Sequence, residues 1–166
     1  MKDWEHLTRE VAGWLREQGV EAMEGWSGNS CPSMSRPAVV VTVRGCEGQP
    51  AALARYLGER FDPETGCWQE LYGRQLTLEL GLDVYAPENA GQEELAAALD
   101  GLMAALGSEA PQGLQVGKLT CGQTVWDKTQ RRLRQEVTAV CAVRLEAAAQ
   151  EGTAFLDFEL RGGWNH

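Results

Sequence analysis

The sequence has 166 residues, of which 43% are hydrophobic, and a formal net charge of −9. Length and composition predict one globular domain that buries its own core without metal ions or disulfides. The acidic balance argues against a surface that binds DNA or a membrane, because both need a basic footprint. No apolar run approaches the roughly 20 residues that span a bilayer, and the N-terminal region lacks the apolar segment of a secretory signal.

Five cysteines are present, an odd number without a CxxC pair. In the absence of a secretory signal, we expect them to be reduced thiols of a cytosolic protein.

The first element is predicted to be an amphipathic helix that ends at Gly19, because apolar residues recur at helical spacing. Two of them, Trp4 and Trp14, are expected to be packing anchors in the core or at a subunit contact. Residues 25–37 are rich in Gly, Ser and Pro and predict a long loop of a kind that orders against a neighbouring copy. Residues 1–36 are thus expected to form an N-terminal helix and loop.

Residues 37–162 are expected to form an α+β core domain, followed by a C-terminal tail at residues 163–166. The β-branched run at residues 38–44 predicts a strand that is covered on both faces, at least in part. Residues 51–60 are expected to form a short helix. The sequence Asp-Pro-Glu-Thr-Gly at residues 62–66 is typical of a turn.

The segment that follows this turn is expected to be the centre of the fold. It leads, with a break or bulge at Gly73, into a long strand whose leucines alternate up to Val84 and which ends at Pro87. A helix comes next, with Asn89 as its N-cap and Gly107 just after its end. Its apolar stripe consists of Leu95, Leu99, Leu102, Met103 and Leu106. Packing the leucine face of the strand on this stripe is expected to form the core.

Three further strands are predicted after this helix. They occupy residues 114–125 with a bulge at Gly117, residues 133–145, and residues 154–160, with a corner at residues 126–130. Strand parity predicts that Cys121 and Cys141 point inward as small hydrophobes. Because short connections favour antiparallel neighbours, the sequence predicts a single α+β domain, a mainly antiparallel sheet with two helices packed on it.

No pattern in the sequence indicates catalysis, a cofactor or a metal ion. His6 and His166 are the only histidines, and no Cys or His pair has the spacing of a zinc site. Residues 25–29 lack the second glycine of a nucleophile elbow, and residues 113–119 lack the Ser or Thr of a phosphate loop. Carboxylates are expected on solvent faces or in turns, so we expect the protein not to be an enzyme.

Three stretches, residues 56–75, 82–102 and 116–145, resemble in their order the tail-completion or tail-terminator proteins of long-tailed phages. Genes of this family are common in prophages of Gram-positive bacteria. The most telling features are the strand that ends in Asp-Val-Tyr-Ala-Pro at residues 83–87, with the helix after it, and Trp126-Asp127 before an arginine-rich strand. The resemblance covers roughly residues 37–162.

The resemblance implies a structural virion protein without cofactor or catalysis. Such a subunit assembles into a ring, usually a hexamer, which caps the tail tube and meets the head connector. It would be present in the bacterial cytoplasm during assembly and then in the virion tail, with DNA only as passing cargo and no contact with a membrane. Six copies would carry about six times −9, so a lumen lined by these charges would let DNA slide.

Assembly contacts are expected at exposed tryptophans and at the only basic cluster, which can pair with acidic residues of a neighbouring copy. The predicted contact residues are Trp4, Trp14, Trp26, Trp68, Trp126, Arg131, Arg132 and Arg134.

Two other kinds of function stay open on the sequence. One is another phage head–tail connector or minor capsid component. The other, from a different class, is a small cytosolic ligand-binding domain or enzyme in which the helix with Trp4 and Trp14 lines a pocket. A deep pocket with convergent polar groups would favour this second kind, whereas a shallow surface with paired sheet edges would favour assembly.

Overall fold

A computed structural model describes residues 2–26, 31–48, 55–107 and 114–149. The elements follow in the order α1 (Lys2–Glu17), β1 (Ala22–Glu24), β2 (Ala38–Gly48), β3 (Arg55–Asp62), β4 (Cys67–Ala86), α2 (Gln92–Gly107), β5 (Gln115–Asp127) and β6 (Arg132–Ala149). The predicted class, an α+β domain with two helices and a mainly antiparallel sheet, is confirmed.

The strands form one sheet in the order β1-β2-β4-β6-β5, with β3 paired to the first part of β4. Every pair is antiparallel except β1 with β2, which is parallel. β4 is the central strand, with 20 residues, and it pairs with β2, β3 and β6. The predicted central role of this strand is confirmed.

The helices pack on one face of the sheet, where the alternating leucines of β4 meet them. Leu78, Leu80, Leu82 and Val84 are at most 1% exposed. Leu15 of α1 and the α2 residues Leu95 and Leu102 belong to the same buried cluster. The predicted packing of the leucine face of the strand on the apolar stripe of the helix is therefore confirmed. The predicted burial of both faces of β2 is confirmed at residues 38–41.

The end of α1 is also confirmed. Gly19 has a φ of 81°, its N–H donates to the carbonyl of Arg16, and the N–H of Val20 donates to the carbonyl of Leu15. These are the two hydrogen bonds of a Schellman motif, in which glycine takes the left-handed position.

The predicted start of α2 is wrong by two residues. The carbonyl of Gly91 accepts the first helical hydrogen bond, from Leu95, so Gly91 and not Asn89 is the N-cap. Gly107 is the last helical residue instead of the one after it.

The helix predicted for residues 51–60 is wrong where the structure describes it, because residues 55–62 form β3. This segment pairs with β4 across the turn at residues 63–66, and the pairing outweighs a weak helical spacing.

No break occurs at Gly73, which pairs with both Arg55 and Glu146. β1 was missed because three residues are too few to show a period.

In the second half of the chain the predicted bulge at Gly117 is confirmed by a register shift between Val116 and Lys118. β5 continues through Asp127, so the predicted corner at residues 126–130 begins too early, and the turn lies at residues 128–131. The strand predicted at residues 154–160 and the tail at residues 163–166 lie outside the described residues.

Candidate functional site

The face of the sheet opposite the helices carries an ion-pair network centred on Asp83. Asp83 is 6% exposed and is the only buried charged residue among the side chains that the structure describes. Its Oδ1 accepts from Arg44 Nη2 at 2.5 Å and from the N–H of Val137 at 3.1 Å. Its Oδ2 accepts from Arg134 Nη2 at 2.7 Å and from Arg134 Nε at 3.1 Å. The prediction that carboxylates lie on solvent faces or in turns is wrong for Asp83.

A bulge and a glycine bring Arg44 to this carboxylate. The register of β2 on β4 shifts between Val43 and Gly45, so Arg44 is the extra residue of a β-bulge, a device that redirects a side chain. The Arg44 side chain then lies over Gly81, where an added Cβ would be 2.9 Å from Arg44 Nε. The sheet can accept the arginine because position 81 has no side chain.

Four charges in this network balance one another. Glu136 lies 3.2 Å from Arg44 and 3.7 Å from Arg134, and Arg44 also donates to the hydroxyl of Thr138. Burial acts to lower the pKa of Arg134, but the hydrogen bond and the charge of Asp83, with smaller contributions from Tyr85 and Glu136, together raise that pKa. Since both arginines are engaged within the fold, the network joins β2, β4 and β6 and is not an anion-binding site.

The loop at residues 25–37 covers part of this face through its described residues. Trp26 packs edge-on against Tyr85, with 5.4 Å between the ring centroids, and Arg134 lies 5.8 Å from the centre of the Tyr85 ring. Arg132 donates to the carbonyl of Pro32 at 3.3 Å. These contacts hold the loop on the sheet of its own subunit.

The hairpin of β3 and β4 forms an arm, which we define as residues 55–72. The side chains of the arm that the structure describes are exposed or half-buried, whereas the buried ones described in β4 lie at Leu78 and beyond, so the arm lies outside the described core. The predicted turn at its tip is confirmed by a hydrogen bond from the N–H of Gly66 to the carbonyl of Asp62. The carboxylate of Asp62 also accepts from the N–H of Glu64 and the hydroxyl of Thr65.

Two aromatic pairs lie across the strands of the arm. Tyr56 faces Tyr72 with 5.7 Å between ring centroids, and Phe61 faces Trp68 with 5.5 Å. Phe61 is 48% exposed and Trp68 is 63% exposed. Trp68 and Tyr72 have the same strand parity as Leu78, so these two aromatic residues lie on the face of β4 that carries the leucines.

The far end of the sheet carries a further exposed aromatic side chain. Trp126, near the end of β5, is 46% exposed. The next turn contains Lys128 and Arg131, and Arg131 has a φ of 53°, the only positive value for a non-glycine residue in the described part. Arg131 forms an exposed ion pair with Glu88 at 3.2 Å. We call the surface formed by Trp126, Lys128 and Arg131 the basic turn.

A groove of about 520 Å³ lies between the end of α1 and one side of α2. Its wall from α2 consists of small residues: Ala97, Ala98 and Gly101. Its charged side chains contact partners inside the subunit, since Arg36 pairs with Glu21 at 2.8 Å and Arg16 donates to the carbonyl of Ala12. The groove therefore lacks a converging set of unengaged polar groups for a ligand.

Within the described ranges, no group of three His, Cys, Asp or Glu side chains could hold a metal ion. Neither helix is long and apolar enough to cross a bilayer.

The cysteines differ in their exposure. Cys141 is buried as predicted, Cys31 is half-buried, and Cys46, Cys67 and Cys121 are exposed. The prediction for Cys121 is wrong although its partner in the sheet is the buried Val137. The reason is that β5 is the outermost of the described strands and no described element covers it there.

Cys141 should resist alkylation in the folded protein. Burial raises the pKa of its thiol to about 11, so at a pH near 8 only on the order of one molecule in a thousand carries the thiolate. We expect iodoacetamide to label Cys46, Cys67 and Cys121 rapidly and Cys141 only after denaturant is added, as read by peptide mass spectrometry. Equal labelling of Cys121 and Cys141 in the folded protein would contradict the burial of Cys141.

Comparison of the sequence with known protein families and with curated proteins found no match.

The structure separates the eight predicted contact residues into inward and outward sets. Four are half-buried against their own subunit: Trp14, which packs against the core, and Trp26, Arg132 and Arg134. Three are directed outward: Trp68, Trp126 and Arg131. The side chain of Trp4 lies outside the described residues. Sequence reasoning missed the Asp83 network and the partner of Trp68, Phe61, although the turn at residues 62–66 could have identified that pair.

Proposed function

We propose that this protein is a structural subunit of a phage tail, a tail terminator that assembles into a ring of six. The ring caps the tail tube and joins it to the head connector. The subunit is made and assembled in the bacterial cytoplasm and then resides in the virion tail. It needs no cofactor and performs no catalysis, and DNA passes through the ring as cargo.

The observation that carries this proposal is the aromatic arm. Phe61 and Trp68 are 48% and 63% exposed on a hairpin that extends beyond the core, so they add little to the packing of their own subunit. Aromatic side chains are enriched in protein interfaces and dominate their binding energy. An arm of this kind fits a subunit that buries surface on assembly. The resemblance of residues 37–162 to tail terminators indicates that this assembly is the ring at the end of a phage tail.

Deleting the gene from the phage or prophage that encodes it tests the proposal. Without a cap and a joint, we expect filled heads that stay separate from tails, together with tail tubes of uncontrolled length, in electron micrographs of the lysate. Supplying the gene in trans should restore joined virions with tails of uniform length. Normal virions from the deletion strain would overturn the proposal.

The same micrographs separate the tail terminator from another head–tail connector or minor capsid protein. Loss of a connector would give heads that fail to retain DNA, beside tails of normal length. The groove between α1 and α2 does not favour an enzyme or a ligand-binding domain, because Arg16, Glu21 and Arg36 in its lining are already engaged.

A further inference from the structure

We propose that copies of this chain join head to tail, with the arm of one copy seated on the basic turn of the next. Phe61 and Trp68 provide the apolar part of the arm surface, and Trp126 provides that of the basic turn. The inference deepens the proposed function and rests on it, because the occupant of each surface is a second copy of the chain.

The first argument is charge complementarity. The arm carries four acidic side chains and two arginines, a net charge of −2. Residues 127–132 carry three basic side chains and one aspartate, a net charge of +2, and adding Glu88 still leaves +1. The basic turn is therefore positively charged in a chain whose net charge is −9. Opposite charges around the apolar side chains of the arm and of the basic turn favour contact between these two surfaces. They disfavour contact of either surface with its own kind.

The second argument is the distance between the two surfaces. Cys67 begins β4 at the arm, whereas Ala86 ends it two strands from Trp126. At about 3.3 Å per residue the surfaces are about 60 Å apart, so they cannot meet within one subunit. A contact between the arms of two copies would place acid on acid. A contact between different surfaces avoids this, and it generates a ring when the rotation closes.

The third argument is the conformation of Arg131. Its φ of 53° lies in the left-handed region, which is uncommon for a residue other than glycine, and such strain is frequent at functional positions. The ion pair with Glu88 is exposed on both sides, and exposed pairs contribute little. Arg131 can therefore exchange Glu88 for an acidic side chain of an arriving arm at small cost.

Charge reversal tests the pairing. The arm variant carries Glu59→Lys and Glu64→Lys, which leaves the turn-capping Asp62 intact. The turn variant carries Lys128→Glu and Arg131→Asp, since aspartate tolerates the left-handed conformation. Each variant is expected to weaken self-association at least about tenfold in sedimentation velocity. The chain that carries all four changes should recover most of the loss, because its arm and its turn attract again.

The control variant reverses two exposed acids of α2, Glu93→Lys and Glu94→Lys, which changes the net charge as much as the arm variant does. It should associate like the wild type. If the four-change chain behaves like the arm variant alone, or the turn variant like the wild type, the head-to-tail pairing is overturned.

Cysteine cross-linking gives a second readout that also detects weak or transient contacts. Cys67 is exposed beside Trp68, and Lys128→Cys places a thiol on the basic turn. A mild oxidant should give dimers and longer ladders whose linked peptides join position 67 of one copy to position 128 of another. The separation of about 60 Å excludes this link within one chain, because Cα atoms of a disulfide lie within about 7 Å. Absence of the link at high protein concentration would overturn the inference.

The two proposals fail separately. Rings that form without a link between positions 67 and 128 would refute the docking geometry and leave the tail role intact. The link together with normal virions from the deletion strain would refute the tail role and leave the contact intact.

Discussion

Asp83→Ala is expected to lower the free energy of unfolding by about 3–5 kcal/mol, the range for removing one partner of a buried ion pair. The change leaves Arg44 and Arg134 without their carboxylate, although each is less than a third exposed. It also leaves the N–H of Val137 without its acceptor, at the point where β4 and β6 are joined by this side chain. Urea unfolding followed by circular dichroism measures the loss.

Asp100→Ala provides the control, because Asp100 is exposed on α2, and its effect should stay within about 0.5 kcal/mol. A double-mutant cycle with Arg44→Ala should give a coupling energy of about 1–3 kcal/mol, since Asp83→Ala costs less once one arginine is gone. A loss below about 1 kcal/mol for Asp83→Ala would contradict the view that this network joins the strands.

The core could be predicted from the sequence because the spacing of apolar residues along a strand or helix is enough to identify it. The alternation up to Val84 and the helical stripe that begins at Leu95 each leave one apolar face, and two such faces bury each other. Asp83 could not be placed in the same way. Its parity puts it on the polar face, and the sequence does not show that a loop covers that face or that a bulge directs Arg44 to it.

The errors in secondary structure have related causes. Residues 55–62 form a strand because β4 offers them a partner, and local spacing does not reveal a partner. Cys121 has the parity of a buried residue, but parity says nothing about where the covering helices end. Period determines which side chains share a face, whereas tertiary contacts determine which part of that face is buried.

The candidate site was only partly predictable for the same reason. Residue type alone identifies tryptophan and arginine as frequent contact residues in protein interfaces. It does not distinguish Trp26 from Trp68. In the fold, Trp26 packs on Tyr85, whereas Trp68 lies on the arm, where Phe61 is the only described aromatic ring beside it. Exposure separates a packing tryptophan from one available to a partner, and exposure requires the fold.

A series of alanine substitutions along one face of β4 should show stability and assembly changing independently. Leu80→Ala is expected to lower the free energy of unfolding by about 3–5 kcal/mol, because Leu80 is fully buried and its removal leaves a cavity. Leu76→Ala, at the half-buried margin of the core, should cost about half as much. Trp68→Ala should cost about 1 kcal/mol or less, the contribution of a cross-strand aromatic pair.

The order should reverse for self-association. Trp68→Ala removes the most exposed aromatic side chain of the arm and is expected to weaken association by about thirtyfold or more, as for an interface residue worth about 2 kcal/mol. Leu76→Ala, which leaves the arm unchanged, should associate like the wild type once it is compared under conditions where it is folded.

If Trp68→Ala unfolds the subunit as strongly as Leu80→Ala, then Trp68 belongs to the core and not to an interface. If it leaves both stability and association unchanged, the arm is not the surface by which copies meet. Loss of association without loss of stability is the result that a docking arm requires.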